Sequence, residues 1–264
     1  MSDWLGAICE VDGIDIHYTR TGGGKPPVML LHGLAANGLT WTSVARALEG
    51  DYDVIMPDAR GHGRSSAPAH GYRYDDHARD VVGLIRALGL HRPILVGHSM
   101  GGMTAALVAG RNPKLLRGLV LADPSFLTLK RQRELQSSDV AAQHRRTLDL
   151  SFDHVLADMR TRHPDRLPET LELLARARLQ TSMSAFDVLT PPNPDYHDLA
   201  GTIDVPSQLI IAGSGVVTEA AATELERANP RFQVRQIREA GHGLHYDQPD
   251  SFAAIVTSFL HSIV

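Results

Sequence analysis

The sequence has almost no cysteine and no strong charge of either sign. Cys9 is the single cysteine among 264 residues, so no disulfide can close within the chain, and no CxxC or HExxH spacing offers a structural or catalytic zinc site. A reducing compartment suits such a chain, and neither a metal nor an organic cofactor is expected. Lys and Arg number 26 against 30 Asp and Glu, a net charge of −4 with the 14 His neutral, which leaves no cationic field able to hold a phosphate backbone. Nucleic acid is not an expected partner. No apolar run approaches the roughly 18 residues that a spanning helix needs, and the opening Met1-Ser2-Asp3-Trp4 has no basic stretch leading into an apolar one. The expectation is a cytoplasmic protein not bound to a membrane, with a homodimer left open.

What is present is a core-forming composition. With 43% hydrophobic residues, 21% charged residues, 23 Gly and 15 Pro, the chain is neither disordered, fibrous nor a small disulfide scaffold. Residues 7–11 and 14–19 read as strands joined at Asp12-Gly13, a dipeptide that supplies the positive φ of a tight hairpin. Short apolar runs at 28–31, 54–56, 94–96, 119–121 and 209–211 lack polar alternation, as strands covered on both faces require. Helical spacing fills 41–48, 74–88, 100–111, 219–228 and 249–261. Strand and helix alternate, which predicts a mostly parallel α/β sheet. The rhythm breaks over 126–199, which is too long for a loop and too helical for disorder. This interval is expected to be an inserted helical cap on a core built from 1–125 and 200–264.

The most informative segment is Gly97-His98-Ser99-Met100-Gly101, a G-x-S-x-G between a buried strand and a helix. A serine at a sharp strand-to-helix turn sits in strained backbone, and flanking glycines leave room for that turn to pack. The following helix begins at the serine, so its free N–H groups face any developing oxyanion. On these residues the chain resembles the α/β-hydrolase superfamily over nearly its whole length outside 126–199. The resemblance implies an eight-stranded, mostly parallel sheet flanked by helices, with Ser99 as nucleophile after the fifth strand.

Further segments carry the same resemblance. Leu30-Leu31-His32-Gly33-Leu34 ends a strand with the HG dipeptide that opens the superfamily's oxyanion-hole loop, which implies Leu34 N–H and Met100 N–H as the two donors. His32 is expected to brace that loop. Gly241-His242-Gly243 followed by Asp247-Gln248-Pro249 is similar to the superfamily's terminal GH motif, which implies His242 as the base and not His245. An imidazole, with an ordinary pKa of about 6.5, can take a serine proton and return it to a leaving group. Asp58, Arg60 and His62, in the loop after the fourth strand, are expected to tie that loop by charge-assisted hydrogen bonds.

The sequence departs from the superfamily at the third member of the triad. The usual acid after the seventh strand would fall at Val216, which has no carboxylate. Asp123, 24 residues past Ser99 at the end of the sixth strand, is the expected acid, with Glu219 or the absence of any acid as the alternatives. Ser99 argues against dehalogenase and epoxide hydrolase chemistry, which in this superfamily needs an aspartate nucleophile. The expected reaction is hydrolysis of a small carboxylic ester or lactone through an acyl-enzyme. C–C bond hydrolysis, cofactor-free perhydrolysis and a receptor-like ligand sensor with slow turnover remain alternatives. Trp41, Phe126, Met183 and Phe186 are the expected pocket residues. Leu127, Leu129, Leu150, Phe152, Val155, Leu156 and Met159 of the cap either line the pocket or pack its helices together. Arg131, Arg133, Arg145 and Arg146 either recognise a substrate carboxylate or are solvated.

Overall fold

A computed structural model describes residues 4–264, so Met1-Ser2-Asp3, read above for a targeting signal, lies outside the described residues. The hairpin at Asp12-Gly13 forms as the pattern requires, with β1 (Leu5–Val11) antiparallel to β2 (Ile14–Arg20). There follow β3 (Pro27–Leu31), β4 (Asp53–Pro57), β5 (Ile94–His98), β6 (Gly118–Ala122), β7 (Ser207–Ser214) and β8 (Phe232–Gly241). They build one eight-stranded sheet in the order β1-β2-β4-β3-β5-β6-β7-β8, and every pairing from β4 to β8 is parallel.

The unalternating runs are apolar because each central strand is covered on both faces. Met29, Leu31, Leu95 and Leu119 point into one core with α2 (Tyr74–Ala87), α3 (Met100–Arg111) and part of α9 (Glu219–Ala228). Val28, Leu30, Val96 and Val120 point the other way, against α1 (Thr42–Leu48) and α11 (Pro249–Ile263). β8 is the strand that the apolar-run criterion passes over. As an edge strand it alternates buried and exposed residues, so its sequence FQVRQIREAG shows no unbroken apolar block.

The interval after β6 folds as α4 (Leu129–Ser137), α5 (Val140–Leu148), α6 (Phe152–Arg162) and α7 (Pro168–Leu179), then a 3-10 turn at Met183–Leu189 and α8 (Tyr196–Thr202). Val155, Leu156, Leu171 and Ala175 give α6 and α7 a small core of their own. In contrast, Tyr196, Leu199 and Ala200 of α8 pack into the main core. There α8 packs against α3 and α9. Among the described residues, no helix is long and apolar enough to cross a membrane.

Candidate active site

β5 delivers Ser99 into a turn that only tight packing sustains. Ser99 has φ 52° and ψ −115°, a region that costs a non-glycine residue on the order of 1–3 kcal/mol. The turn lies so close to its surroundings that a Cβ at Gly97 would collide with the Gly101 carbonyl, and one at Gly101 with the Leu31 carbonyl. Ser99 N–H donates to the Ala122 carbonyl at 3.2 Å, which ties the turn to the end of β6. Met100 is the first residue of α3, so its N–H has no acceptor within the helix.

Three side chains from distant parts of the chain meet here. Ser99 Oγ lies 3.0 Å from His242 Nε2, and His242 Nδ1 lies 2.6 Å from Asp123 Oδ2. Asp123 follows β6, its N–H donating to the Ile210 carbonyl at 2.8 Å, and it is fully buried. Its carboxylate accepts the Val216 N–H at 2.8 Å and the Val217 N–H at 2.9 Å. The loop after β7 thus offers main-chain donors where a carboxylate was sought, and Val216 contributes through its backbone. That loop approaches closely because residue 215 is glycine: a Cβ there would stand 2.5 Å from Asp123 Oδ2. Glu219 is elsewhere, accepting a hydrogen bond from Gln236 Nε2 at 2.6 Å on an exposed face.

Histidines brace the site without touching the serine. His32 Nδ1–H donates to the Gly33 carbonyl at 2.8 Å, and its Nε2 accepts the Ala59 N–H at 2.9 Å. His62 pairs in the same way with the Arg60 carbonyl and the Ala35 N–H, at 2.9 and 3.3 Å. The loops after β3 and β4 are therefore stapled together by two imidazoles, and burial holds both below the usual histidine pKa. Asp58 accepts from Gly38 N–H at 2.7 Å, Arg64 N–H at 2.9 Å and His17 Nδ1 at 2.9 Å. Arg60 makes a two-pronged contact with Asp80, its Nε donating at 2.6 Å. His98 Nε2–H donates to the His242 carbonyl at 2.9 Å, fixing the loop that carries His242. Burial, then the nearby His242, pushes the His98 pKa well down. His245 is buried and stacked on Trp41 at 4.0 Å, with neither ring nitrogen bonded.

The Ser99 side chain opens into a cavity of about 930 Å³ between the sheet's rim and helices α4 to α7. Leu34, Gly33 and Ala35 border it beside Ser99, and Phe186 walls it from above. Leu127, Leu150, Val155 and Met159 line it as well, whereas Leu129, Phe152 and Leu156 do not. Three expected pocket residues are absent from its wall. Trp41 is fully buried among α1 and α11, Phe126 stacks on Tyr196 at 5.2 Å within the main core, and Met183 sits on the 3-10 turn outside the cavity lining. Sequence reasoning missed Ser125, whose Oγ is 3.2 Å from Ser99 Oγ, and Arg178 of α7, which reaches the cavity. Helical spacing gave no signal for either, since a serine after Asp123-Pro124 and an arginine near a helix end are ordinary on a surface.

The family described as alpha/beta hydrolase fold matches residues 26–249. The chain belongs to the α/β-hydrolase family. Within that family it is similar to N-formylmaleamate deformylase of Pseudomonas putida, 31% identical over 98% of each chain. It is also similar to 2-(acetamidomethylene)succinate hydrolase of Mesorhizobium japonicum, 26% identical over 95% of this chain and 93% of the relative. Among solved structures, E-2-(acetamidomethylene)succinate hydrolase superposes with a TM-score of 0.84 at 22% identity, covering 98% of this chain and 99% of that one. As an α/β-hydrolase, the protein is a hydrolytic enzyme.

Proposed function

We propose that this α/β-hydrolase cleaves a small carboxylic ester or lactone through an acyl-enzyme, with Ser99 as nucleophile, His242 as general base and Asp123 as the acid that orients it. The observation that carries the reading is the continuous chain from Ser99 Oγ to His242 Nε2 at 3.0 Å and from His242 Nδ1 to Asp123 at 2.6 Å. Ser99 Oγ attacks the acyl carbon while its proton passes to His242 Nε2. Asp123 accepts the Nδ1–H and offsets the imidazolium charge without taking the proton. The N–H groups of Leu34 and Met100 hold the oxyanion of the tetrahedral intermediate. Collapse breaks the bond to the leaving oxygen, which receives the proton from His242. Water, deprotonated by the same imidazole, then releases the acid and restores Ser99. No step calls on a metal or an organic cofactor.

Helices α4 to α7 act as the cap over this centre, and Phe186 forms part of the acyl pocket. The N-formyl and acetamido groups in the names of the two curated relatives extend the candidate bonds to small amides, for which the same steps expel an amine. The buried, hydrogen-bonded Asp123 favours turnover over ligand sensing, because a sensor has no need of a base held ready for deacylation. The test is hydrolysis of p-nitrophenyl butyrate with a fluorophosphonate label. Many turnovers per protein, labelling of Ser99 and loss of both in Ser99→Ala are expected. A single burst that leaves a stable adduct would favour the sensor, and full activity in Ser99→Ala would end the proposal.

A further inference from the structure

Four arginines and three carboxylates line the cavity above Ser99: Arg131, Arg162, Arg166 and Arg178 against Glu134, Asp158 and Asp247. Three of the arginines are already matched. Arg131 donates to Glu134 at 2.6 Å, Arg162 Nε to Asp158 at 3.0 Å, and Arg166 Nε to Asp247 at 2.7 Å. Arg178 has no carboxylate within ion-pair distance among the described residues, and its Nε is buried without a hydrogen-bond partner. Burial, and then Arg162, push its pKa below the usual arginine value, with Asp158, already bonded to Arg162, opposing them from beyond ion-pair distance. Arg176, two residues away on the same helix, lies over the Phe152 ring at 4.5 Å.

A guanidinium held in a recess without a counter-charge lowers stability, because its desolvation is not repaid. The arrangement becomes favourable when an anion enters. The planar fork of an arginine matches a carboxylate, with two parallel N–H donors. Resting on the reading of Ser99 as nucleophile, we propose that Arg178 binds a carboxylate carried by the substrate away from its scissile carbonyl, so that the enzyme prefers anionic acyl compounds to neutral ones. The cavity that contains Ser99 also contains Arg178, so one molecule can reach both. The three matched arginines leave the other walls close to neutral, which sets the anion's position as well as its charge.

The test compares kcat/KM for mono-p-nitrophenyl glutarate, which bears a free carboxylate, with that for neutral p-nitrophenyl pentanoate. The wild-type protein should favour the glutarate ester, and Arg178→Met should lower the glutarate-to-pentanoate ratio roughly 10- to 100-fold, the range for a lost hydrogen bond to a charged group. Arg178→Lys, which keeps the charge without the fork, should fall between them. Arg131→Gln, whose charge Glu134 already offsets, should hold the ratio within about twofold by the same reasoning. Binding of glutarate itself to Ser99→Ala, followed by calorimetry, requires no turnover and separates this proposal from the catalytic reading: it should weaken by a similar factor when Arg178→Met is added. Glutarate binding that ignores Arg178→Met, absence of glutarate binding at millimolar concentration, or a ratio that follows Arg131 in place of Arg178 would each overturn the assignment. Thermal melts on every variant distinguish a lost contact from a lost fold.

Discussion

Replacing Asp123 by Asn removes one charge and almost no volume, which makes its effect calculable from the hydrogen bonds around it. The carboxylate is fully buried and receives three N–H groups, from His242, Val216 and Val217. An amide has one oxygen to offer and an NH2 group in place of the other. If that oxygen faces the two valine N–H groups, the NH2 donates to His242 Nδ1, and the ring's proton moves to Nε2, where it blocks transfer from Ser99. If the oxygen faces His242, it still accepts the Val216 N–H from the Oδ2 position, and the NH2 confronts the buried Val217 N–H, which costs about 1–3 kcal/mol when left unsatisfied. The productive orientation therefore lies about 1–3 kcal/mol above the unproductive one, which at about 1.4 kcal/mol per decade lowers kcat by roughly 5- to 150-fold, and loss of the charge that offsets the imidazolium deepens the fall. Steady-state hydrolysis of p-nitrophenyl butyrate reads this loss, with circular dichroism and a thermal melt to show that the fold persists. Glu219→Gln should stay within about twofold of the parent, since its carboxylate meets only Gln236 on an exposed face. Asp123→Asn retaining more than about a fifth of kcat, against the penalty of the unsatisfied Val217 donor, or Glu219→Gln falling as far, would refute the argument.

Further outcomes follow from the same contacts. Gly215→Ala should leave the protein folded but cut kcat at least tenfold by an order-of-magnitude expectation for a displaced catalytic group, since its Cβ would lie 2.5 Å from Asp123 Oδ2; undiminished turnover would show that the loop can retreat without cost. Arg60→Met leaves Asp80 buried without its partner, both side chains being under a tenth exposed, and should destabilise by about 3–5 kcal/mol in a denaturant melt. Burial holds His32, His62, His77, His98 and His245 below the usual 6.5, His77 at about 3. Each takes a proton in the unfolded chain near pH 6.5 while staying neutral in the fold, so this stability is complete above that pH and is lost as the pH falls, at about 1.4 kcal/mol per unit and per group. Urea melts at pH 7 and pH 5 should show the decline, with a shallower slope in His77→Phe; equal stability at both would remove the argument.

Local patterns in the sequence report what a segment buries, and there they read true. The spans 100–111 and 219–228 correspond to α3 and α9 at both ends, because an apolar stripe and a strand-to-helix turn are local properties. β8 escaped the same criterion, since an edge strand with one covered face sets Gln, Arg and Glu between Phe232, Val234 and Ile237. The candidate site was legible where motif and strand end coincide, as at Ser99, His242 and Asp123, which the fold brings within hydrogen-bond distance. It was illegible where contact depends on which way a bulky side chain turns. Trp41 and Phe126 are large and near the right loops, yet both point into the core. Arg178 lies in a helix rich in arginine, and only the pairing of its neighbours sets it apart.

The loop after β7 lends Asp123 two main-chain N–H groups and no side chain, and this changes what variation the protein can tolerate. Any residue except proline keeps those donors at 216 and 217. Val216 borders the cavity, so its side chain can grow, shrink or gain polarity and alter which molecules fit, while the orientation of His242 stays fixed from beneath. An aspartate at 216 would have tied that position to a single identity. Here the immutable carboxylate sits one strand further inward, out of reach of any substrate, and the vacated rim position becomes a site where new specificities can be sampled by single substitutions.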